Sequence, residues 1–345
     1  MVYRIESNWN KIIPIIRKGA RFVITGHEHA DGDALGSQVA LYYFLRQMGK
    51  RVRAINCDEP QRRLCFIDPD RVVETYEPEG ARRAFAACDA WIIVDTSALL
   101  RIGSMGELTH RLTCPKIVID HHVVSPEEAF ADISIVDERA VATGKLIYQL
   151  GVELGCRLDK KIALALYTAI YTDSGGFVYA KMDAETHRIV AELIEAGVRP
   201  YDVFDRLYQT HAAAEVELFG RALSSLRFEH GGQIAWMTVS GRMYAYSGAD
   251  PEGSENHLLN YVRSIKTVEL VALLRKLPEG RVKVSLRSKN FFRVNGIARD
   301  LGGGGHWFAA GAVVEGSLPR VREKVTQLVG REWRNRRREH KRPGA

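Results

Sequence analysis

Residues 26–37, GHEHADGDALGS, place two histidines and two aspartates among glycines, directly after the short apolar run Arg21–Thr25 (RFVIT). That run has the β-branched and aromatic composition of a strand. Residues 34–48 then show the helical spacing of apolar side chains, and Gly49 ends the pattern. A strand that passes through a polar, glycine-bearing loop into a helix predicts the first unit of a parallel α/β sheet.

The composition is typical of a globular protein with more than one domain. The chain has 345 residues, of which 46% are hydrophobic and 26% charged, so it is long enough to form two hydrophobic cores. No segment resembles a signal peptide or approaches the roughly 20 apolar residues of a membrane helix. The five cysteines are odd in number and include no C-x-x-C pair. We therefore expect a cytoplasmic protein with reduced cysteines and no membrane contact.

The net charge of +7 is concentrated at one end of the chain. Residues 331–345 carry seven Lys or Arg and two Glu, which leaves +5 of the total in this basic tail. Such a tail can attract phosphate backbones weakly and in a salt-dependent way. It can equally be a solvated terminus that aids solubility, and the sequence leaves both readings open.

Along the first half of the chain, β-rich runs alternate with helical runs. Further strands are predicted at 51–56, 90–95 and 116–120. Amphipathic helices are predicted at 139–150, 159–171 and 184–196. The alternation predicts an α/β fold in which a parallel sheet carries helices on both faces.

The second half has a different pattern and predicts a smaller α+β domain. Its predicted elements are strands at 233–240, 268–277, 281–288 and 311–317, and a helix at 258–265. We expect the following organisation: a catalytic domain at 1–196, a linker at 197–215, a substrate-binding domain at 216–330 and the basic tail at 331–345. The active site is expected in the cleft between the two domains.

Acidic and histidine side chains follow the predicted strands of the first half repeatedly. They are His27, Asp31, Asp33, Asp95, Asp120, His121 and His122, and Asp173 follows a predicted helix. Each group alone is explained by a turn, a helix N-cap or a helix stop. Together, at the shared edge of a parallel sheet, so many carboxylates would repel one another unless cations neutralised them. Oxygen ligands with a minority of imidazoles and no thiolates suit Mn²⁺ or a similar ion.

Four ordered motifs in these residues resemble the DHH phosphoesterases. They are His27-x-x-x-Asp31-Gly32-Asp33-Ala34, Val94-Asp95-Thr96-Ser97, Asp120-His121-His122 and Thr172-Asp173-Ser174-Gly175. In the second half, VSLRSK (284–289) and GGGGHWFAAGA (302–312) resemble the DHHA1 domain. The match spans about residues 15–330, and the length is similar to that of the bifunctional oligoribonuclease and pAp phosphatase (NrnA-type) group.

The resemblance implies a centre of two Mn²⁺ ions, with Mg²⁺ or Co²⁺ as substitutes. It assigns one ion to His27, Asp31 and Asp95, and the other to Asp33, His121 and Asp173, with Asp95 bridging both. It also implies that Asp120 orients the histidine pair and that His122 donates a hydrogen bond to a phosphoryl oxygen. Family members often have Asn-Pro where this chain has His29-Ala30. We expect His29 to be a surface replacement, and the alternative is an additional ligand or a phosphate donor.

Further residues are candidates for substrate binding. They are Arg101, Arg287, Ser288, Gly302, Gly303, Gly304, Gly305 and His306. Consecutive glycines remove every Cβ, so backbone N–H groups can approach a phosphate or ribose closely. The period of two in residues 281–288 puts Arg287 on a polar face of its strand.

The resemblance implies a hydrolase that acts on short single-stranded RNA oligonucleotides and on 3′-phosphoadenosine 5′-phosphate (pAp). The nearest competing activity is hydrolysis of cyclic dinucleotides or linear di-adenylate. A protein that binds nucleotides without catalysis is the alternative from another class, although all six candidate metal ligands are intact. The sequence does not fix the oligomeric state and allows a homodimer.

Overall fold

The computed structural model describes residues 9–122, 130–249, 255–289 and 292–339. Contacts divide the chain into two compact units, Met1–Thr210 and His211–Ala345. The division falls inside the range 197–215 predicted as a linker, and most of that range is helical.

The first unit contains helices and strands in alternation. Its helices are α1 (Trp9–Lys18), α2 (Gly32–Gln47), α3 (Pro78–Ala87), α4 (Thr143–Leu154), α5 (Lys160–Asp173), α6 (Ala184–Glu195) and α7 (Pro200–Tyr208). Its strands are β1 (Arg21–Thr25), β2 (Arg51–Asn56), β3 (Val73–Thr75), β4 (Ala90–Val94), β5 (Lys116–Asp120) and β6 (Ile133–Val136). Two 3-10 segments, Arg62–Ile67 and Leu99–His110, complete the described elements.

The strands of the first unit form one sheet in the order β3-β2-β1-β4-β5-β6. Every described pair is parallel. The chain builds the sheet outward from β1 in one direction and then from β4 in the other, so the order reverses between these two neighbours. Ligands of open parallel sheets bind at such a reversal, beyond the carboxyl ends of the strands.

Alternate residues of the central strands enter cores on opposite faces of this sheet. Ile24, Ile92 and Ile119 pack in the core that contains buried residues of α1, α2, α4 and α5. Val23 and Ile93 pack in the core on the other face, with α3 and the second 3-10 segment. The prediction of a parallel sheet with helices on both faces is confirmed.

Close helix packing behind the sheet depends on glycines. A Cβ at Gly36 of α2 would lie 2.4 Å from the carbonyl oxygen of Ala165 in α5. A Cβ at Gly144 of α4 would lie 2.6 Å from the side chain of Ala169 in α5. The three helices can therefore approach closely where α2 and α4 begin, which is where the candidate site residues lie.

The second unit contains a smaller mixed sheet. Its helices are α8 (Ala213–Ser224), α9 (Gly241–Ser247), α10 (Glu255–Arg263), α11 (Val294–Asp300) and α12 (Leu318–Glu339). Its strands are β7 (Arg227–Glu229), β8 (Ile234–Val239), β9 (Leu270–Lys276), β10 (Arg281–Ser288), β11 (Gly304–His306) and β12 (Ala309–Glu315). The strand order is β11-β12-β10-β9-β8-β7, with β8 and β9 parallel and the other described pairs antiparallel.

Strand β10 has the predicted alternation. Val282, Val284 and Leu286 are buried in the core beneath α11 and α12. The other face of the sheet has a separate core with α8 and α10. The α+β character predicted for this half is confirmed.

The basic tail differs from the prediction over its first part, because α12 continues through residue 339. Trp333 is buried in the core of the second unit and stacks against Phe292, with ring centroids 5.3 Å apart. Arg331 pairs with Asp300. The predicted basic tail thus begins inside a packed helix, and residues 340–345 lie outside the described residues. In the described part of the chain, no helix combines the length and the apolar character needed to cross a bilayer.

The glycine at position 36 offers a test of the packing between α2 and α5. Gly36→Ala should lower the free energy of unfolding by about 1 to 3 kcal/mol, because the new methyl group collides with backbone. Gly80→Ala in α3 is the matched control, since a Cβ there meets nothing within 4 Å. It should be neutral or stabilise by up to about 1 kcal/mol. Urea denaturation measures both, and equal stability of the two variants would contradict the packing.

Candidate metal centre

Neighbouring strands bring the predicted acids and histidines to one edge of the first sheet. His27 lies two residues after β1, and Asp95 directly follows β4. Asp120 is the last residue of β5, and His121 follows it. Asp173 is the last residue of α5.

The first candidate ligand group consists of His27, Asp31 and Asp95, whose ligand atoms lie within 4.8 Å of one another. His27 Nε2 is 3.5 Å from Asp95 Oδ2 and 3.9 Å from Asp31 Oδ2. His27 Nδ1 lies 2.7 Å from the carbonyl oxygen of Glu28. Because a carbonyl can only accept, Nδ1 carries the hydrogen, and the lone pair of Nε2 faces the carboxylates.

The second candidate group consists of Asp33, His121 and Asp173. His121 Nε2 is 3.2 Å from Asp173 Oδ2 and 3.6 Å from Asp33 Oδ2. Its ring is oriented by the carbonyl of Ala140, 3.2 Å from Nδ1. His121 Nε2 is buried and has no hydrogen-bond partner among the described residues, although oxygens surround it. A nitrogen lone pair aimed at carboxylates is unfavourable unless a cation lies between them, so these residues fit a metal ion.

Asp33 is held in place by the start of α4. Its carboxylate accepts hydrogen bonds from the backbone N–H groups of Thr143 at 2.6 Å and Gly144 at 2.8 Å. Ser37 Oγ donates a third bond at 3.1 Å. The positive end of a helix dipole therefore stabilises a carboxylate that would otherwise be costly to bury.

Asp95 lies between the two groups. Its Oδ2 faces His27, and its Oδ1 lies 3.6 Å from His121 Nε2. Its φ of +63° is in the left-handed region, which is uncommon for a residue other than glycine. Two hydrogen bonds stabilise this backbone conformation. Asp95 N donates to the carbonyl of Ile119, and Thr143 Oγ1 donates to the carboxylate of Asp95 at 2.9 Å. Strain of this kind is characteristic of functional sites.

Asp120 organises the histidine pair in a way that differs in part from the expectation. It accepts from the backbone N–H groups of His121 and His122 and from Ser97 Oγ. It also lies 2.8 Å from His122 Nδ1. The ring of His121 is instead held by Ala140. Asp120 thus fixes the His122 ring but only the backbone of His121.

The pKa shifts in the cluster reflect an excess of carboxylates over positive charges. Burial and the neighbouring carboxylates raise the pKa of Asp33 and of Asp95 well above the usual range. Burial and the charge of Asp31 raise the pKa of Asp173 to about 6. Burial lowers the pKa of His121 to about 4 and also lowers the pKa of His27. The lowered pKa values keep the imidazoles neutral, as metal ligands must be, whereas the raised pKa values mean that the crowded carboxyl groups need a nearby cation to stay ionised at neutral pH.

Comparisons with known proteins show the family to which the chain belongs. Residues 21–170 match the DHH family, N-terminal domain, and residues 243–331 match the DHHA1 domain. The chain is 31% identical over 310 residues to the bifunctional oligoribonuclease and PAP phosphatase NrnA of Thermus thermophilus, covering 90% of this chain and 89% of that protein. The chain belongs to the DHH phosphoesterase family. The resemblance inferred from the motifs is confirmed.

Other similar proteins match over comparable lengths. The protein of the same name from Bacillus subtilis is 27% identical over 297 residues, covering 85% of this chain and 88% of that one. The crystal structure of an exopolyphosphatase-related protein from Bacteroides fragilis has a TM-score of 0.87 at 27% identity and covers 93% of this DHH phosphoesterase and 95% of that chain. The similarity therefore extends over both units of the chain.

Two cations lie beside the candidate centre of this DHH phosphoesterase. The charge of the predicted substrate residue Arg101, in the second 3-10 segment, adds to the effect of burial in lowering the pKa of His27 and partly offsets the rise in the pKa of His122. The charge of Lys181 adds to the effect of burial in lowering the pKa of His121 and partly offsets the rise in the pKa of Asp173. In the described ranges, neither cation has an ion pair. Lys181 was not predicted, because it stands in a turn and belongs to no motif.

The glycine-rich loop of the second unit is shaped largely by its own packing. Gly302 and Gly305 have φ of +82° and +133°. A Cβ at Gly303 would lie 2.1 Å from the carbonyl oxygen of Gly311, and one at Gly305 would meet the backbone of β12 at 2.6 Å. Only Gly304 of the four has a φ outside the left-handed region and open space around its Cβ position. Gly302, Gly303 and Gly305 are therefore required by the backbone conformation and packing of the loop, independently of any ligand that the loop binds.

The structure does not support Ser288 as a phosphate ligand. Ser288 is 1% exposed, and its hydroxyl donates to the carbonyl of Phe292 at 2.7 Å. Arg287, the preceding residue, lies opposite Ala309 in the register of β10 and β12 and is half-buried. The side chain of His306 lies outside the described part of the chain.

His29 lies apart from both ligand groups. Its side chain is 86% exposed, and Nδ1 lies 2.9 Å from Asp58 Oδ2. Asp58 also accepts the backbone N–H of His29 at 2.7 Å. These contacts agree with the expectation that His29 is a surface residue.

The raised pKa of Asp173 predicts a pH dependence for the metal-free protein. A carboxyl group with a raised pKa in the folded state destabilises the fold increasingly as pH rises from its ordinary value of 3.8 to about 6. Asp173→Asn removes this penalty, so the stability of the variant relative to wild type should rise over that range and then level off. Denaturation in the presence of a chelator, repeated from pH 4 to 7.5, measures the difference.

Asp202→Asn is the matched control with the opposite sign. The hydrogen bond from Arg199 lowers the pKa of Asp202, so this variant should lose stability relative to wild type as pH rises. If the stability of Asp173→Asn relative to wild type did not change with pH, or fell, the electrostatic description of the cluster would be wrong.

Proposed function

We propose that this DHH phosphoesterase hydrolyses short RNA oligonucleotides and pAp, using two bound Mn²⁺ ions. The observation that carries the proposal is the pair of ligand groups that meet at Asp95. The relatives from Thermus thermophilus and Bacillus subtilis are named for both activities. The extent of those matches supports the transfer of the activities to this chain.

Six residues would hold the ions. His27, Asp31 and Asp95 would bind one, and Asp33, His121 and Asp173 the other, with Asp95 shared. Oxygen ligands with one imidazole in each group and no thiolate suit Mn²⁺ and are compatible with Mg²⁺ or Co²⁺. When bound, such a pair supplies a nucleophilic hydroxide near neutral pH and neutralises charge on the phosphoryl oxygens.

Polar side chains around the ligands would position the phosphate. Asp120 accepts from His122 Nδ1 and, although burial opposes it, raises the pKa of that histidine. His122 can therefore present a protonated Nε2 to a phosphoryl oxygen. Arg101 and Lys181 would attract the substrate phosphate, since neither is neutralised by an ion pair within the described residues.

Residues of the second unit remain candidates for further substrate contacts. They are Arg287, Gly302, Gly303, Gly304, Gly305 and His306. The basic tail, partly within α12, is a candidate for weak contact with longer nucleic acid. The competing activity, hydrolysis of cyclic dinucleotides or linear di-adenylate, involves the same phosphodiester chemistry, so a direct comparison of substrates is required.

The experiment compares substrates and one metal-ligand variant. Purified protein with Mn²⁺ is incubated with labelled RNAs of two to twenty-four nucleotides, pAp, and linear and cyclic di-adenylate. We expect the highest kcat/KM for pAp and the shortest RNAs. Asp95→Asn should lose at least about 100-fold in activity, since even groups that only support metal ligands contribute up to that much.

Asp70→Asn is the control for loss of a carboxylate. Asp70 pairs with Lys161 and Tyr43, away from the ligand groups, so this variant should retain full activity. Activity of Asp95→Asn within tenfold of wild type would refute the shared-ligand role. Preference for cyclic di-adenylate would favour the competing activity, and tight binding of pAp without turnover would favour a non-catalytic binding protein.

A further inference from the structure

One tryptophan differs from the other four in its exposure to solvent. Trp9, Trp91, Trp236 and Trp333 are buried, whereas Trp307 in the second unit is 53% exposed. An indole ring is among the most costly apolar groups to leave in water. Exposed aromatic rings of this size are common where a protein binds a partner ring.

The ring of Trp307 is held in a defined place. The backbone carbonyl of Trp307 accepts from Val294 N at 2.7 Å, and that of Phe308 accepts from Ser288 N at 2.9 Å. The guanidinium carbon of Arg293 lies 4.1 Å from the centroid of the Trp307 ring. One face of the indole is thus covered by a cation, and the exposed surface leaves the other face accessible.

An exposed, glycine-bearing strand lies directly before this ring in the chain. Trp307 follows β11, whose first residue, Gly304, is exposed and has open space around its Cβ position. A nucleotide carries a flat ring and a phosphate within a few ångströms of each other. The exposed indole offers a surface for the flat ring, and the open space at Gly304 leaves room for the phosphate.

We infer that Trp307 stacks against a nucleobase of the substrate, with Arg293 on the opposite face of the indole. The inference rests on the proposed function, because it assumes a nucleotide substrate. Stacking of this kind tolerates any base, since every base has a π-face, and it contributes about 1 to 3 kcal/mol. Trp307 would therefore favour any substrate that carries a base, without distinguishing one base from another.

The test compares two substrates that differ only in the base. They are pAp and ribose 3′,5′-bisphosphate, which has the same two phosphates. Trp307→Ala should lower kcat/KM for pAp by about 5- to 100-fold and leave kcat/KM for the sugar bisphosphate unchanged. Trp307→Phe should retain most of the activity on pAp, because a smaller aromatic ring still stacks.

Tyr246→Ala is the matched control. Tyr246 is another exposed aromatic residue of the second unit, with the guanidinium carbon of Arg221 4.8 Å from its ring centroid. Its removal should not change the ratio of kcat/KM values for the two substrates. The inference would be overturned if Trp307→Ala left the ratio of the two kcat/KM values unchanged, which includes an equal fall in kcat/KM for both substrates.

Fluorescence separates this inference from the proposed function. AMP should quench the wild-type tryptophan emission, and the quenching should disappear in Trp307→Phe, because the remaining tryptophans are buried. Lack of turnover with either substrate would refute the proposed function while this signal still supports stacking. Absence of quenching in a wild-type protein that hydrolyses pAp would overturn the stacking and leave the proposed function standing.

An independent observation concerns two cysteines of the first unit. The Sγ atoms of Cys88 and Cys114 are 3.1 Å apart, although 26 positions separate the residues in sequence. They lie two residues before β4 and β5, at the edge of the sheet opposite the carboxyl ends. A disulfide needs about 2.05 Å between sulfurs, so a shift of about 1 Å would suffice.

We propose that Cys88 and Cys114 form a reversible disulfide on exposure to a peroxide. The sulfur of Cys114 attacks one peroxide oxygen, which breaks the O–O bond and gives a sulfenic acid and water. The sulfur of Cys88 then attacks that sulfenic sulfur, which forms the S–S bond and releases a second water. Two thiols are oxidised and one peroxide is reduced. The hydrogen bond from Cys88 lowers the pKa of Cys114 to about 7, which favours the first step.

Treatment of the full-length protein with hydrogen peroxide tests this proposal. Peptide mass spectrometry should find residues 88 and 114 cross-linked, with a loss of two hydrogens that dithiothreitol reverses. The midpoint of thermal unfolding should rise by several degrees in the oxidised protein, because the bond closes a loop of about 27 residues. Cys156→Ser should behave like wild type, and Cys88→Ser should form no cross-link. Recovery of both thiols unmodified, or irreversible oxidation of Cys114 without a cross-link, would overturn the proposal.

Discussion

The arrangement on which the rest of the site depends is the convergence of carboxylates on a buried imidazole nitrogen. Oxygens of Asp33, Asp95 and Asp173 lie 3.2 to 3.6 Å from His121 Nε2. Without a cation, the carboxylates repel one another and face the lone pair of His121 Nε2, so the surrounding fold has to hold them together. Three features of the fold maintain this arrangement: the start of α4, the carbonyl of Ala140 and the left-handed backbone of Asp95. A divalent ion would convert the repulsion into coordination.

The strands that carry these residues were predictable because their physical signals are strong. β1 and β5 have the predicted bounds and β4 ends one residue before its predicted end, since short apolar, β-branched runs covered on both faces give a clear pattern. The edge strands β3 and β6 were not predicted, because they are short and partly exposed. The ends of central parallel strands share one edge, so the acids and histidines that follow them could be assigned to one site from sequence.

Other parts of the site leave no signal in a sequence. The carbonyl of Ala140 and the N–H groups at the start of α4 are backbone groups, which any residue supplies. The position of Lys181 beside Asp173 depends on a turn that belongs to no motif. Ser288 was a candidate for phosphate binding because it follows Arg287 and the GGGGH segment was expected nearby, but its hydroxyl donates to a local backbone carbonyl. The burial of Trp333 was also not predictable, because it depends on the packing of α12, whereas the net charge of the tail is typical of a solvated segment.

The central claim is that six side chains form two ion sites joined through Asp95. Metal analysis of the full-length protein, after equilibration with excess Mn²⁺ and removal of free metal, tests it most directly. The account predicts two tightly bound Mn²⁺ ions per chain, and one ion with Asp33→Asn, which removes a ligand of the second group only. Wild-type protein that binds a single ion or none under these conditions would contradict the account.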